Sequence, residues 1–104
     1  MKLAFIGGGV MAEAMISGVI GARLSHPSDI SIGEPVQTRR KYLTGKFGVV
    51  VTPNNTKALD SADIVVLAVK PQQLPTVMLA TRSTLIEGQV VILKEMMLLE
   101  YQKN

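Results

Sequence analysis

The run KLAFIGGGVMAEA, Lys2 to Ala14, limits the fold of this chain more than any other stretch. Lys2 to Ile6 is short, apolar and rich in strand formers, and it stops at Gly7-Gly8-Gly9. From Val10 to Leu24 the pattern turns helical, with Met11, Met15, Val19 and Ala22 recurring at spacings of 4, 4 and 3. A strand, a glycine turn and a helix in direct succession form the first half of a strand-helix-strand unit. The same run also reads as the apolar core of a secretion signal that begins at Lys2. Three glycines in its middle and Glu13 at its end interrupt the continuous apolar helix such a signal needs, and IGARLS is a poor cleavage site.

The remaining chain continues the alternation. SHPSD, Ser25 to Asp29, breaks the helix. DISIGEP carries a second short strand, stopped by Gly33 and Pro35. Gln37 to Lys46 is polar and helix-compatible, with Gly48 just past its end as a stop. Val49 to Val51 is a third strand, and TPNNTKALDSA gives a turn and a short helix with Asn54 or Asn55 as N-cap. Asp63 to Val69 is a fourth strand, nearly all apolar. KPQQLPTVMLATRSTL starts as a loop and becomes helical, Gln89 to Leu93 is a fifth strand, and KEMMLLEYQKN reads as helix.

Strands alternating with helices call for a parallel sheet, and continuous apolar strands such as IVVLAV suit one covered on both faces. The expected fold class is α/β: a Rossmann-like three-layer α/β/α domain with a five-stranded parallel sheet in the order 3-2-1-4-5. A length of 104 residues leaves room for one such core. No later run reaches the roughly 20 apolar residues that span a bilayer, so a soluble protein without a membrane partner is expected. With no cysteine and a single histidine, the chain has no thiolate or histidine cluster for a metal and no Ser-His-Asp triad. Cysteine-free composition suits a reducing compartment, the cytoplasm. A net charge of +3 and 4% aromatic residues argue against a nucleic-acid partner. His26 sits in a loop and is expected to face solvent.

Gly7, Gly9 and Ala12 match the G-x-G-x-x-G/A fingerprint of dinucleotide sites. The first glycine permits the tight turn, the second lets backbone approach a pyrophosphate, and the third position must be small for helix and strand to pack. The N–H groups at the helix start then face the anion. Glu34 ends the second strand roughly 20 residues further on, where an acid hydrogen-bonds ribose hydroxyls and favours NAD. Arg39 and Arg40 follow closely, and either would neutralise the 2′-phosphate of NADP. At least one of them is expected on a solvated helix face. Lys70 leaves the fourth strand in AVKP, placed to meet phosphate or ribose, with Pro71 restricting the backbone there.

Taken in order, FIGGGVMAEAMISG, GEPVQTRRKYL, FGVVVTPNN, ADIVVLAVKPQ and LIEGQVVI resemble the cofactor domain of pyrroline-5-carboxylate reductase, from about Met1 to Ile92. That resemblance implies an oxidoreductase of proline biosynthesis, reducing the cyclic imine Δ1-pyrroline-5-carboxylate with NAD(P)H. It implies that Ile6, Gly7, Gly8, Gly9, Val10 and Met11 cradle the pyrophosphate. It puts Glu34 at the adenosine ribose, and Asn55, Ala68, Val69, Lys70 and Pro71 along the cofactor groove. In many members the residues at Glu34 and just after it accommodate the NADP phosphate, while an acid there also admits NADH. The cofactor expected is therefore NADP or NAD, leaning to NADP.

From about Leu93 the sequence departs from the family pattern. VVILKEMMLLEYQKN stands where the family has a small-residue turn facing the nicotinamide, then a helical domain that forms the dimer and most of the imine site. The expected division is a dinucleotide-binding domain over 1–92 and a divergent helical tail over 93–104, without that dimerisation domain. No catalytic residue is assigned. The chain alone is expected to reduce no imine, and a substrate would bind only if a missing domain completed the site. Leu93, Met96, Met97, Leu98, Leu99 and Tyr101 are too many apolar residues for one helix stripe, so some are expected to pack on the domain and the rest to mediate self-association. Two other readings stand beside this one. One is a non-catalytic NAD(P)-binding module, or a truncated remnant whose tail binds a partner. The other is a related hydride-transfer enzyme with a different substrate.

Overall fold

A computed structural model of the chain describes residues 1–85 and 88–93. Five strands form one sheet: β1 (Leu3–Ile6), β2 (Ile30–Gly33), β3 (Val50–Thr52), β4 (Ile64–Leu67) and β5 (Val90–Leu93). All pairs are parallel, and the order is β3-β2-β1-β4-β5, as the sequence pattern leads one to expect. The helices are α1 (Val10–Gly21), α2 (Gln37–Phe47), α3 (Asn55–Ala58) and α4 (Leu74–Thr81). Single turns of 3-10 helix lie at Pro27–Asp29 and Pro71–Gln73.

Two cores flank the sheet because successive strand residues point to opposite faces. Leu3 and Phe5 of β1 join Ile30, Ile32 and Val66 in a cluster with Ala12 and Ile16 of α1 and Leu43 of α2. Ala4 and Ile6 join Val65 and Leu67 on the other face, with Ala58 of α3, Leu59 and Ala62, and half-buried Leu74 and Val77 of α4. Every residue of β1 is therefore buried, which is why the strand reads as continuously apolar.

Several boundaries differ from the sequence reading, for local reasons. α1 stops at Gly21 and does not run to Leu24. Arg23 takes a left-handed φ of 58°, and Leu24 N–H reaches back to the Val19 carbonyl at 3.0 Å, closing the end in a Schellman-like turn. α2 ends where Gly48 was expected to end it: Gly48 has φ 73° and donates to the Thr44 carbonyl at 2.9 Å. Asn54, not Asn55, caps α3, its Oδ1 accepting from Thr56 N–H at 2.9 Å and Lys57 N–H at 3.3 Å. β5 includes Leu93, half-buried against the second core, as the strand read from Gln89 to Leu93 leads one to expect. The helical tail expected from 94 onward lies outside the described residues. No helix among the described residues is long and apolar enough to cross a membrane.

Candidate functional site

β1, β2 and β4 end level with one another, Ile6 pairing with Gly33 on one side and Leu67 on the other. The chain winds outward from β1 through β2 to β3, then returns to β4 on the opposite side. A crevice opens beyond the carboxyl ends at such a switch point. Here it is a cavity of about 580 Å³, within the range of small-molecule sites.

Its first wall is the glycine turn. Gly7 leaves β1 with φ 99°, and a Cβ there would lie 2.8 Å from the Ala68 carbonyl oxygen, so only glycine fits. Gly8 is packed from the other side: a Cβ would meet Leu43 Cδ1 at 2.7 Å and Glu34 Oε1 at 3.2 Å. At Gly9 a Cβ would meet nothing within 4 Å, although the residue lines the cavity. Gly9 is also the N-cap of α1, and no side chain caps that helix. The N–H groups of its first turn have no partner within the helix. Ala12, the third fingerprint position, is fully buried between α1 and the sheet.

Glu34 forms the second wall and ties it to the first. Its Oε1 accepts the Gly8 N–H at 3.0 Å, and its Oε2 accepts the Val36 N–H at 2.8 Å. Only 8% of the residue is exposed, so these bonds meet the requirement that a buried carboxylate be partnered. Arg39 reaches the same turn from behind, its Nε donating to the Gly8 carbonyl and its Nη2 to Glu13 Oε1 at 2.7 Å. Arg40 Nη1 donates to the carbonyls of Glu34 at 2.9 Å and Pro35 at 2.7 Å. Neither arginine is simply solvated, which corrects the helix-face expectation. Both are half-buried and bonded to the loops that frame the cavity.

Glu13 links α1 to α2. Lys46 and Arg39 bond to it, with Tyr42 O–H donating at 3.0 Å, and they hold its carboxyl down at about 2. Lys46 is raised in return, by its hydrogen bond to Glu13 first. The Arg39 guanidinium carbon lies 4.9 Å from the centre of the Tyr42 ring, a cation–π contact that steadies the side chain.

Of the residues singled out in the sequence, Ile6, Gly7, Gly8, Gly9, Glu34, Asn55, Ala68, Val69 and Lys70 line this one cavity. Val10, Met11, Arg39 and Pro71 do not. Val10 lies outward on α1 at 83% exposure, Arg39 stands behind the glycine turn, and Pro71 opens the 3-10 turn beyond Lys70. Sequence reasoning missed Gly33, Pro35 and Val36, and also Gln72, Gln73, Thr76 and Val77 after β4. Gly33 had a readable signal, being the last residue of a strand before the acid. A Cβ on it would lie 2.2 Å from Asn55 Oδ1, so its small size is what lets Asn55 close over the end of β2. His26 is exposed, as expected, and its Nδ1 accepts from Ser28 N–H at 3.2 Å. Among the described residues no group of three or more His, Asp or Glu side chains is placed to hold a metal ion.

A family model described as NADP oxidoreductase, coenzyme F420-dependent, matches residues 2–93. The chain belongs to this family. Curated relatives within reach of this NADP oxidoreductase family member are pyrroline-5-carboxylate reductases. That of Synechocystis sp. is 42% identical over 78 residues, covering 75% of this chain and 29% of that protein. That of Methanosarcina acetivorans is 33% identical over 91 residues, covering 88% and 34%. A solved pyrroline-5-carboxylate reductase from Coxiella burnetii superposes with a TM-score of 0.82 at 33% identity, over 88% of this chain and 34% of the other. A Plasmodium falciparum pyrroline carboxylate reductase, solved with NADP bound, shares the fold with a TM-score of 0.74 at 22% identity, over 89% and 32%. The resemblance read from the sequence motifs is thus borne out. The chain spans about a third of the length of these relatives.

Proposed function

We propose that this chain is the dinucleotide-binding part of an NAD(P)H-dependent oxidoreductase of the pyrroline-5-carboxylate reductase type. The observation that carries this reading is Gly9. Its glycine is not demanded by any neighbour in the chain, yet it lines the cavity at the uncapped start of a 12-residue helix. A position that needs no side chain for folding, and faces free N–H groups, suits close approach of a pyrophosphate.

The reduced nicotinamide, when bound, supplies the hydride, and an imine carbon accepts it. This chain's own residues bind and orient. The Gly9 backbone and the first turn of α1 would hold the pyrophosphate. Lys70, exposed on the cavity rim after β4, would add a cation for phosphate or ribose. Glu34 would stand at the adenosine ribose and Asn55 along the groove. Val10, Met11, Arg39 and Pro71 would act from outside the cavity, Arg39 by holding the Gly8 carbonyl. The cytoplasm, with its reduced nicotinamide pool and reducing conditions, suits such a protein.

The test is a calorimetric titration of the purified chain with NADH and, separately, NADPH. Saturable binding of at least one is expected. Gly9→Leu should abolish it while leaving the circular dichroism spectrum unchanged. A folded wild-type chain that binds neither nucleotide would overturn the reading.

A further inference from the structure

The end of the cavity nearest β2 carries a buried negative charge, and the cations close to it are already engaged. Glu34 presents a carboxylate with four acceptor positions, two of which take the N–H groups of Gly8 and Val36. The other two are suited to donors, such as a pair of ribose hydroxyls. Arg39 is held by the Gly8 carbonyl and Glu13, and Arg40 by the carbonyls of Glu34 and Pro35. Neither lines the cavity. Lys70 does, but it leaves β4, on the far side of β1 from β2. Two strand spacings, roughly 10 Å, therefore separate those ends.

We infer that this site takes NADH in preference to NADPH, with Glu34 as the residue that sets the choice. The inference rests on the dinucleotide reading above and adds the chemistry of the ribose end. A ribose 2′-hydroxyl donates to the carboxylate. A 2′-phosphate offers acceptors only, and brings nearly two negative charges against a group that is 8% exposed, where repulsion is weakly screened. Glu34 does not swing away freely, because leaving would strip the acceptors from two N–H groups, one of them on the buried Gly8. Nor does Arg39 turn toward a phosphate without releasing both the glycine turn and Glu13.

The measurement is the ratio of the NADPH and NADH dissociation constants for the full chain, with Glu34→Gln beside it. NADH should bind more tightly by roughly tenfold or more, the least expected of one weakly screened like-charge contact. In Glu34→Gln the ratio should fall toward one. Because that variant also loosens two backbone anchors, the ratio is read and not either constant. A second measurement needs no variant: ADP should displace bound NADH from the wild-type chain at lower concentration than 2′,5′-ADP does. NADPH binding as tightly as NADH, or 2′,5′-ADP competing as well as ADP, overturns the inference while leaving the dinucleotide reading intact. An NADH preference unchanged in a folded Glu34→Gln chain removes Glu34 as its source. Binding of neither nucleotide overturns both the inference and the reading beneath it.

Discussion

Gly7, Gly8 and Gly9 stand side by side, yet three different neighbours act on them. Gly7 meets the Ala68 backbone and has a left-handed φ of 99°, Gly8 meets the Leu43 and Glu34 side chains, and Gly9 meets open space. Gly7→Ala should therefore destabilise the fold by about 2 kcal/mol or more, from backbone strain and a contact with a carbonyl that cannot move aside. Urea unfolding would measure it, and a midpoint equal to wild type would show the turn to be more pliable than drawn. The Gly9→Leu chain is the natural control, since its side chain enters open space. The fingerprint made Gly7, Gly9 and Ala12 legible in the sequence. It said nothing of Gly8, because the groups that confine Gly8 come from residues far along the chain. The acid that bonds its N–H is 26 positions away.

At the scale of elements, α2 is a polar helix with Leu43 as its buried residue, and side-chain bonds to α1 add to its packing. Glu13 collects Arg39, Tyr42 and Lys46 from three successive turns of α2. A carboxyl lowered in the folded chain adds stability above its unfolded value and loses it as pH falls. For Glu13 that window runs from 4.5 down to about 2. Glu13→Gln should thus be less stable than wild type near neutral pH, with the gap closing across that window. Urea midpoints taken through the acid range would show it, and a gap independent of pH would mean that the stabilisation does not come from the charge on Glu13. The helix itself was legible from Gln37 to Lys46 with its glycine stop. The bonding of its basic face was not, because sequence cannot tell a solvated arginine from one that reaches a carbonyl on another element. The early end of α1 escaped for a related reason: the left-handed turn falls on Arg23, a residue with no such preference.

For the molecule as a whole, the sheet order was the most legible feature. Strand and helix alternation with right-handed crossovers leaves few arrangements, and a glycine turn after β1 puts that strand beside the switch point. The cavity was half legible. Its glycine turn, its acid and the Ala68–Lys70 exit sit at strand ends that the pattern marks. Its remaining wall, from Gln72 to Val77, depends on how α4 folds back over the second core, which has no motif. Since the cavity joins residues from five elements, a nucleotide that fills it should stabilise the entire fold. At a hundredfold excess over its dissociation constant the gain should be about 2.7 kcal/mol. A thermal melt with and without NADH would register it, and an unmoved midpoint at high nucleotide concentration would mean that the folded chain does not bind the nucleotide in preference to the unfolded one.

The Gly8 peptide is gripped at both ends, its N–H by Glu34 and its carbonyl by Arg39. The loop proposed to meet the pyrophosphate thus takes its shape from bonds made within the chain itself. A ligand bound there would find a mould already set, and would lose little of its affinity to ordering a floppy glycine run.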